Sequence, residues 1–389
     1  MVFSSSWLYR LCFSLVGLVL LWESASWQVH SERTSENILT STTLPKASST
    51  PSVPTPFEFQ SSPLAFQCEA HHTCVTLLLL NDVYQAYPSS PAMAGTLARA
   101  SVAIEAFRRQ VPHVAFVFAG DLLSPSLPSY YTHGSHMIEA MNQLHPLVAT
   151  LGNHEFDFGT EVMETQIAHA SFPWLAANLV VPSGVSTHIK PWLLTTLGGK
   201  KVLFYGLLTE ETNTGSKINQ GYLVTPAVAY AQKNLPPLVK KLKPEVVIAL
   251  THLSLAEDKR LAREVPDIDI ILGGHDHDQV LEVIPSGKQS KTIPILKMDS
   301  DAKTLGRLQL QIPSSSYQKH RSIGWQYQAY SLQHTPIDEA FMATLQKQLS
   351  PHIQHLQTPV GKSLVALDAR RQTIRHEETA LGNLIATII

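Results

Sequence analysis

Charge is scarce in this chain. Asp, Glu, Lys and Arg make up 15% of its 389 residues, and the formal net charge is −2 at pH 7. That balance removes any electrostatic case for binding a long polyanion such as DNA. Cysteine is scarcer, with three residues at Cys12, Cys68 and Cys74. No Asn-X-Ser/Thr sequon is present, which neither supports nor excludes secretion. No repeat punctuates the chain, so a stacked array is excluded. The longest apolar run, Leu11 to Trp22, falls short of the ~20 residues that a comfortable membrane span needs. What is abundant is apolar surface. A hydrophobic content of 44% is enough to bury one large core or two moderate ones.

The apolar run follows Arg10 and leads to Ser24-Ala25-Ser26, small residues suited to a cleavage site. Residues 1–26 therefore read as a cleaved secretory signal. An uncleaved anchor attaching the chain to a membrane is the alternative. Ser, Thr and Pro dominate from Ser31 to Pro63, a composition too poor in apolar surface to order itself, so residues 27–72 read as a linker. Cys12 would leave with the signal. Cys68 and Cys74 would then form an even pair, and in an oxidising compartment a local disulfide is preferred. A Cys/His metal knot with His71 and His72 is the competing reading, but its spacing matches no usual zinc pattern. The expected location is extracellular or at the cell surface.

From Thr73 the pattern alternates strands and helices. Val75–Leu80, Val114–Ala119, Leu147–Leu151, Val246–Leu250 and Ile268–Leu272 are apolar runs typical of strands in a sheet covered on both faces. Helices are expected over Ala92–Arg109, Ser135–Leu144, Glu161–Ala170, Ala227–Lys243, Leu255–Val265 and Ile337–Leu356, the fourth broken or kinked near Pro236-Pro237. Lys201–Leu207, Ile293–Lys297, Leu305–Ile312 and Trp325–Leu332 complete the expected strands. The fold class is α/β.

Short polar segments follow the apolar strands. They are Asn81-Asp82-Val83-Tyr84, Gly120-Asp121, Gly152-Asn153-His154-Glu155-Phe156-Asp157, Thr251-His252 and Gly273-Gly274-His275-Asp276-His277. Open α/β sheets usually place their sites in the loops at the carboxyl ends of strands. Carboxylate, amide and imidazole together are the donors that two neighbouring divalent cations need. A bridging carboxylate would hold such ions about 3.5–4 Å apart, the spacing of two-metal phosphoesterases. Asp82 and Asp121 supply carboxylates, Asn153 an amide oxygen, and His252 and His275 imidazoles that are neutral near pH 7. Any one of these residues alone would read as a cap or turn residue. His154 and Asp157 lie three apart, so one helical turn would bring them to one face. The carboxylate would fix the imidazole tautomer, and the pair could protonate a leaving group or neutralise a phosphoryl oxygen.

In this order, the Asn-Asp, Gly-Asp, Gly-Asn-His-Glu-Phe-Asp-Phe-Gly, Thr-His and Gly-Gly-His-Asp-His segments resemble the calcineurin-like metallophosphoesterases. More narrowly they resemble the 5′-nucleotidase and UDP-sugar hydrolase family, from about Thr73 to the end. Ala177-Asn178-Leu179 and Gly198-Gly199-Lys200-Lys201-Val202 agree as well. The resemblance implies a four-layer α/β/β/α sandwich. It implies a first metal on Asp82, Asp121 and His277, and a second on Asp121, Asn153, His252 and His275. His154 would be the catalytic histidine, oriented by Asp157, and Asn153 and His154 would touch substrate. The cofactors would be two divalent ions (zinc, manganese, cobalt or magnesium), and the reaction hydrolysis by metal-activated water. The partner would be a small phosphorylated molecule of nucleotide type. UDP-sugars, cyclic nucleotides and sugar phosphates are the alternative substrates.

Two departures qualify the resemblance. The family usually has His two residues after the opening Asp, and here Tyr84 stands there. A phenolate ligand at pH 7 needs about 4 kcal/mol of compensation, which trivalent iron could supply more easily than zinc or manganese. Otherwise Tyr84 only packs, leaving the first metal three protein ligands, or the chain is a metal-poor, non-catalytic binding protein. In addition, the stretch from Arg370 resembles only the entrance to the family's C-terminal domain. The expected organisation is a catalytic domain over 73–335, an inter-domain helix over 336–357 and the start of a second domain over 358–389, incomplete in this sequence.

Overall fold

The structure is a computed structural model that describes residues 68–88, 95–185, 187–219, 221–287, 291–314, 323–356, 362–368 and 370–388. The expected signal segment and most of the linker lie outside the described residues. The strands are β1 (His72–Leu80), β2 (Val114–Phe118), β3 (Val148–Thr150), β4 (Trp174–Leu175), β5 (Leu179–Val180), β6 (Ile189–Lys190), β7 (Trp192–Leu197) and β8 (Lys200–Leu208), followed by β9 (Leu223–Val224), β10 (Val246–His252), β11 (Ile270–Gly273), β12 (Val280–Ser286), β13 (Lys291–Lys297), β14 (Thr304–Pro313) and β15 (Gly324–Ser331). One sheet runs β15-β14-β1-β2-β3-β4-β6, the other β12-β13-β11-β10-β8-β7, with β5 and β9 as a small ribbon. The centres of both large sheets are parallel, and antiparallel strands stand towards their edges.

The leucine run of β1 shows why four layers form. Successive side chains on a strand point to opposite faces. Leu77 and Leu79 pack with Phe204, Ile248 and Leu250 of the second sheet, forming the core between the sheets. Leu78 and Leu80 point the other way, into a core shared with the helices Leu97–Gln110, Ser135–Leu144 and Glu339–Leu356. The second sheet repeats the device. Val202 and Phe204 face inward, while Leu203, Tyr205 and Leu207 pack outward against the helices Ala227–Leu242 and Leu255–Glu264. Each fully buried leucine contributes about 1.5–3 kcal/mol. The result is the expected α/β/β/α sandwich.

Local chemistry sets the helix ends. Thr96 caps Leu97–Gln110 by accepting from the Arg99 N–H, so this helix begins after the cap; the expected start at Ala92 lies outside the described residues. Ser254 and Glu257 form a reciprocal capping box on Leu255–Glu264. Of the break or kink expected at Pro236-Pro237, the break is absent, and Ala227–Leu242 is one helix through both prolines. The carbonyls that lose their partners belong to Gln232 and Lys233, both exposed, where water can satisfy them. Cys68 and Cys74 are joined by a disulfide just ahead of and within β1. No helix among the described residues is long and apolar enough to cross a membrane.

Candidate metal centre

β1, β2 and β3 are parallel neighbours, as are β10 and β11, so their carboxyl-terminal loops share one edge of the sandwich. Backbone hydrogen bonds knit these loops together. The Asp82 N–H donates to the Gly120 carbonyl at 2.9 Å, and the Val83 N–H to the Asp121 carbonyl at 3.0 Å. Asp82, Asp121, His275 and His277 all adopt left-handed backbone conformations, with φ of 51°, 63°, 87° and 62°. Asp and His tolerate this region better than most residues, and such strain collects at functional loops. Two glycines permit the close approach. A Cβ on Gly152 would lie 2.0 Å from Asp121 Oδ1, and one on Gly274 would lie 2.4 Å from the Ala119 carbonyl oxygen.

Within this edge the donor atoms are aimed by their neighbours. Asp82, Asp121 and His252 are buried, with ligand atoms all within 4.8 Å of one another. Asp82 Oδ2 accepts from Asn81 Nδ2 at 2.7 Å and from the His275 N–H at 2.9 Å, which leaves Oδ1 facing the site. Asp121 Oδ1 accepts from the His154 N–H at 2.9 Å, leaving Oδ2. His252 donates Nδ1–H to the Ala119 carbonyl at 2.8 Å. Its buried Nε2 has no hydrogen-bond partner and sits 3.1 Å from Asp121 Oδ2 and 3.9 Å from Asp82 Oδ1. An unpartnered imidazole nitrogen pointed at two carboxylates fits a cation. His275 Nδ1 lies 3.2 Å from Asn153 Oδ1, and His277 Nε2 lies 3.2 Å from Asp82 Oδ1. All six residues expected to hold metal therefore line one edge.

The electrostatics agree. Burial would lower the His252 pKa, but Asp121 and Asp82 outweigh it and raise it to about 10 on the protein's own charges. Burial would raise the Asp121 carboxyl, yet His252 and His154 hold it well below the usual carboxylate range. Two buried carboxylates thus demand positive charge, which a bound metal ion would supply in place of the proton on His252 Nε2. His154 Nδ1 pairs with Asp157 Oδ2 at 2.7 Å, and its Nε2 points inward, 4.0 Å from Asp121 Oδ2. Burial opposes its charge, but Asp121 and then Asp157 raise its pKa to about 9.

Four supporting groups went unread in the sequence. Glu155 is fully buried and accepts from the backbone N–H groups of Asp121, Leu122, Leu123 and Gly152 at 2.5–3.1 Å, locking the Asp121 loop to the Asn153 loop. Its place between His154 and Phe156 in a polar segment was the available signal. Lys297, fully buried at the end of β13, donates to the carbonyls of Leu253 and Gly274 at 2.6 and 2.9 Å. It also pairs with Asp258 at 2.9 Å and with Asp276. Burial opposes its charge, but Asp258 and Asp276 hold the ammonium pKa above its usual range. Burial also pushes the Asp258 carboxyl up, so the pair carries a desolvation cost while it holds the loops. Glu211 Oε2 stands 3.3 Å from His275 Nε2, and Ser216 Oγ donates to the Asn153 carbonyl at 2.8 Å. Both residues come from the loop and short helix after β8, which carried no sequence signal.

Tyr84 does not turn away. Its hydroxyl lies 2.9 Å from His277 Nε2 and 3.4 Å from both Asp82 Oδ1 and Asp121 Oδ2. Burial, then Asp121 and Asp82, push the phenol pKa well above its ordinary range on the protein's own charges.

Comparison with known proteins gives this geometry a context. The family model described as calcineurin-like phosphoesterase matches residues 75–279. The chain is 29% identical over 313 residues to Protein 5NUC of Lutzomyia longipalpis, covering 75% of this chain and 54% of that one. It is 25% identical over 342 residues to the 5′-nucleotidase of Homo sapiens, covering 80% and 58%. The fold is similar to the crystal structure of a 5′-nucleotidase precursor from Thermus thermophilus, with a TM-score of 0.70 at 22% identity, covering 80% of this chain and 65% of that one. The chain thus spans little more than half the length of these two curated relatives.

Proposed function

The chain belongs to the calcineurin-like phosphoesterase family, and from that premise we propose that it is a two-metal phosphomonoesterase of 5′-nucleotidase type, acting on nucleotides or related phosphate esters. The observation that carries this reading is the unpartnered His252 Nε2 facing Asp82 and Asp121, with the His154–Asp157 pair beside it. Asp82, Asp121 and His277 would hold one cation, and Asp121, Asn153, His252 and His275 the other. Asp121 would serve both, and Oδ2 is the oxygen left for them because Oδ1 is engaged by the His154 N–H. When bound, the cations supply Lewis-acid polarisation of phosphoryl oxygens and lower the pKa of a water molecule.

The chain's own residues do the rest. Asp157 accepts the Nδ1–H of His154, so that Nε2 faces the site and carries the second proton when the ring is charged. On the protein's own charges Asp121 and Asp157 favour the protonated form of His154. It therefore offers both a positive charge to a phosphate dianion and a proton to a departing alkoxide. Glu155 and Lys297 hold the loops so that these groups are in place before substrate arrives. Nucleotide-like substrates are supported by the relatives named 5′-nucleotidase. Secretion is supported by the signal-like residues 1–26 and by the Cys68–Cys74 disulfide, since disulfides persist in oxidising compartments. N-terminal sequencing of the mature protein tests that part.

The decisive variant is His154→Ala. It is expected to retain bound metal and to lose at least ~100-fold in rate on adenosine monophosphate, as for loss of a general acid. Parental turnover by this variant would refute the assignment.

A further inference from the structure

The two imidazoles assigned to the second metal position are held by opposite nitrogens. His252 is anchored through Nδ1 on the Ala119 carbonyl, which leaves Nε2 facing the carboxylates. His275 is the reverse. Its Nε2 stands 3.3 Å from Glu211 Oε2, and its Nδ1 stands 3.2 Å from Asn153 Oδ1. The rest of the residue is already committed. Its N–H donates to Asp82 Oδ2 at 2.9 Å, its φ is 87°, and its ring meets His252 edge-on with centroids 5.1 Å apart. An imidazole that ligates a metal keeps one hydrogen, on the nitrogen that does not ligate. A carboxylate accepts and does not donate, so Glu211 claims that hydrogen for Nε2. Nδ1 is then the lone pair, and it faces the Asn153 amide oxygen. Donors that share one ion at about 2.1 Å lie about 3.0 Å apart at right angles and about 3.4 Å apart at the tetrahedral angle. The observed 3.2 Å falls in that interval.

We propose that Glu211 is a positioning residue of the second metal position: it accepts the Nε2–H of His275 and thereby presents Nδ1 to the cation beside Asn153. The inference rests on the two-metal reading above and deepens it, because it assigns a role to the segment after β8.

That segment is itself pinned. Thr209 and Thr212 are buried on either side of Glu211. The Glu211 N–H donates to Thr209 Oγ1 at 3.3 Å, and the Thr212 hydroxyl to the Thr209 carbonyl at 2.8 Å. Asn213 exchanges two hydrogen bonds with the Val224 backbone in β9, at 2.8 and 2.9 Å. Ser216 Oγ then donates to the Asn153 carbonyl at 2.8 Å. One segment thus reaches both neighbours in the second position, His275 through its ring and Asn153 through its backbone. Outer partners of metal-bound histidines are worth about 10–100-fold in metal affinity. The Glu211 side chain is 69% exposed, so water competes for the hydrogen bond and the low end of that range applies.

The test titrates chelator-stripped protein with zinc sulfate against a competing chelator. Proton–nitrogen correlation spectra of zinc-loaded protein with nitrogen-labelled histidine then show which nitrogen of His275 carries hydrogen. In the parent, two zinc ions should bind, and the His275 hydrogen should sit on Nε2 and exchange slowly with water. Glu211→Ala should weaken one of the two zinc equivalents by about 10-fold and speed that exchange. Glu211→Gln keeps an acceptor oxygen and should restore both. Zinc on Nε2 of His275 in the parent would overturn the assignment, and this reading stands even where Glu211→Ala fails to fold. Equal zinc affinity and unchanged exchange in a folded Glu211→Ala would overturn it as well. Hydrolysis of adenosine monophosphate by the parent, measured in parallel, keeps the two readings apart. Activity with two zinc ions bound leaves the proposed function standing when the Glu211 assignment fails, whereas a parent that bound no zinc would overturn both.

Discussion

Replacing Lys297 with methionine should separate the architecture of the metal loops from their chemistry. The ammonium is fully buried and touches four groups: the carbonyls of Leu253 and Gly274, and the carboxylates of Asp258 and Asp276. Leu253 follows His252, and Gly274 precedes His275, so one cation ties together the ends of β10 and β11. Methionine matches the length of the side chain and removes the charge. Asp258 is left buried with only Thr251 Oγ1 as a partner, at 2.8 Å. Breaking a buried ion pair from one side costs about 3–5 kcal/mol. Against a total stability of about 5–15 kcal/mol, that is a large fraction. At about 2–4 °C per kcal/mol for a domain of this size, the melting temperature should fall by roughly 6–20 °C. Urea unfolding of chelator-stripped protein measures the loss without metal. Asp258→Asn in the Lys297→Met background should restore part of it, with a coupling of about 0.5–3 kcal/mol. A loss under ~1 kcal/mol, or strict additivity in the double variant, would show that Lys297 is not the tie between these loops.

The sheet edge was readable in the sequence because hydrophobic burial and metal ligation leave local signatures. Val75–Leu80 followed by Asn81-Asp82 announces a covered strand ending in a polar loop, and the same holds at Phe118, Thr150 and His252. The strands β7 and β12 were missed. Each lies at a sheet edge with only partial burial, so its apolar pattern is weak. Of the break or kink expected at Pro236-Pro237, the break does not occur, because the cost of proline depends on whether the orphaned carbonyls reach water, which only the packing decides. Lys297 was unreadable for a related reason. A lysine after Ile293–Leu296 looks like a strand end emerging into solvent, and its burial depends on Asp258 and Asp276 from other segments. Tyr84 stood out as a departure from a pattern, but which way its hydroxyl points is a tertiary fact.

The imidazoles give the metal-stripped protein a particular pH response. His154 and His252 have pKa values raised to about 9 and about 10 from 6.5. Their stabilising contribution is complete below pH 6.5 and is lost as pH rises through 9 to 10. Melting temperatures of stripped protein should therefore fall steadily from pH 6.5 to pH 9.5, and a flat profile would refute the charge balance drawn for the site. Asp121→Asn should lower the occupancy of both metal positions together, read by elemental analysis, because Asp121 Oδ2 faces both donor sets; loss of one ion alone would remove its bridging role. Gly274→Ala tests the close approach of the two sheets. Its Cβ would lie 2.4 Å from the Ala119 carbonyl oxygen, 2.8 Å from Asp82 Oδ2 and 2.9 Å from His252 Nδ1. Two of those atoms form the His252–Ala119 hydrogen bond that aims Nε2 at the carboxylates, and Ala119 is backbone that cannot swing aside. Ala119 itself belongs to the core between the sheets, so thermal melting first establishes that the variant is folded; the folded variant should bind zinc at least ~10-fold more weakly, as when an orienting partner of a ligand is lost. Gly215→Ala, whose Cβ would meet nothing within 4 Å, is the control and should bind as the parent does. Equal zinc affinity in both variants would mean that the loops adjust freely, and that the spacing across the sheet edge is not what holds the metal site together.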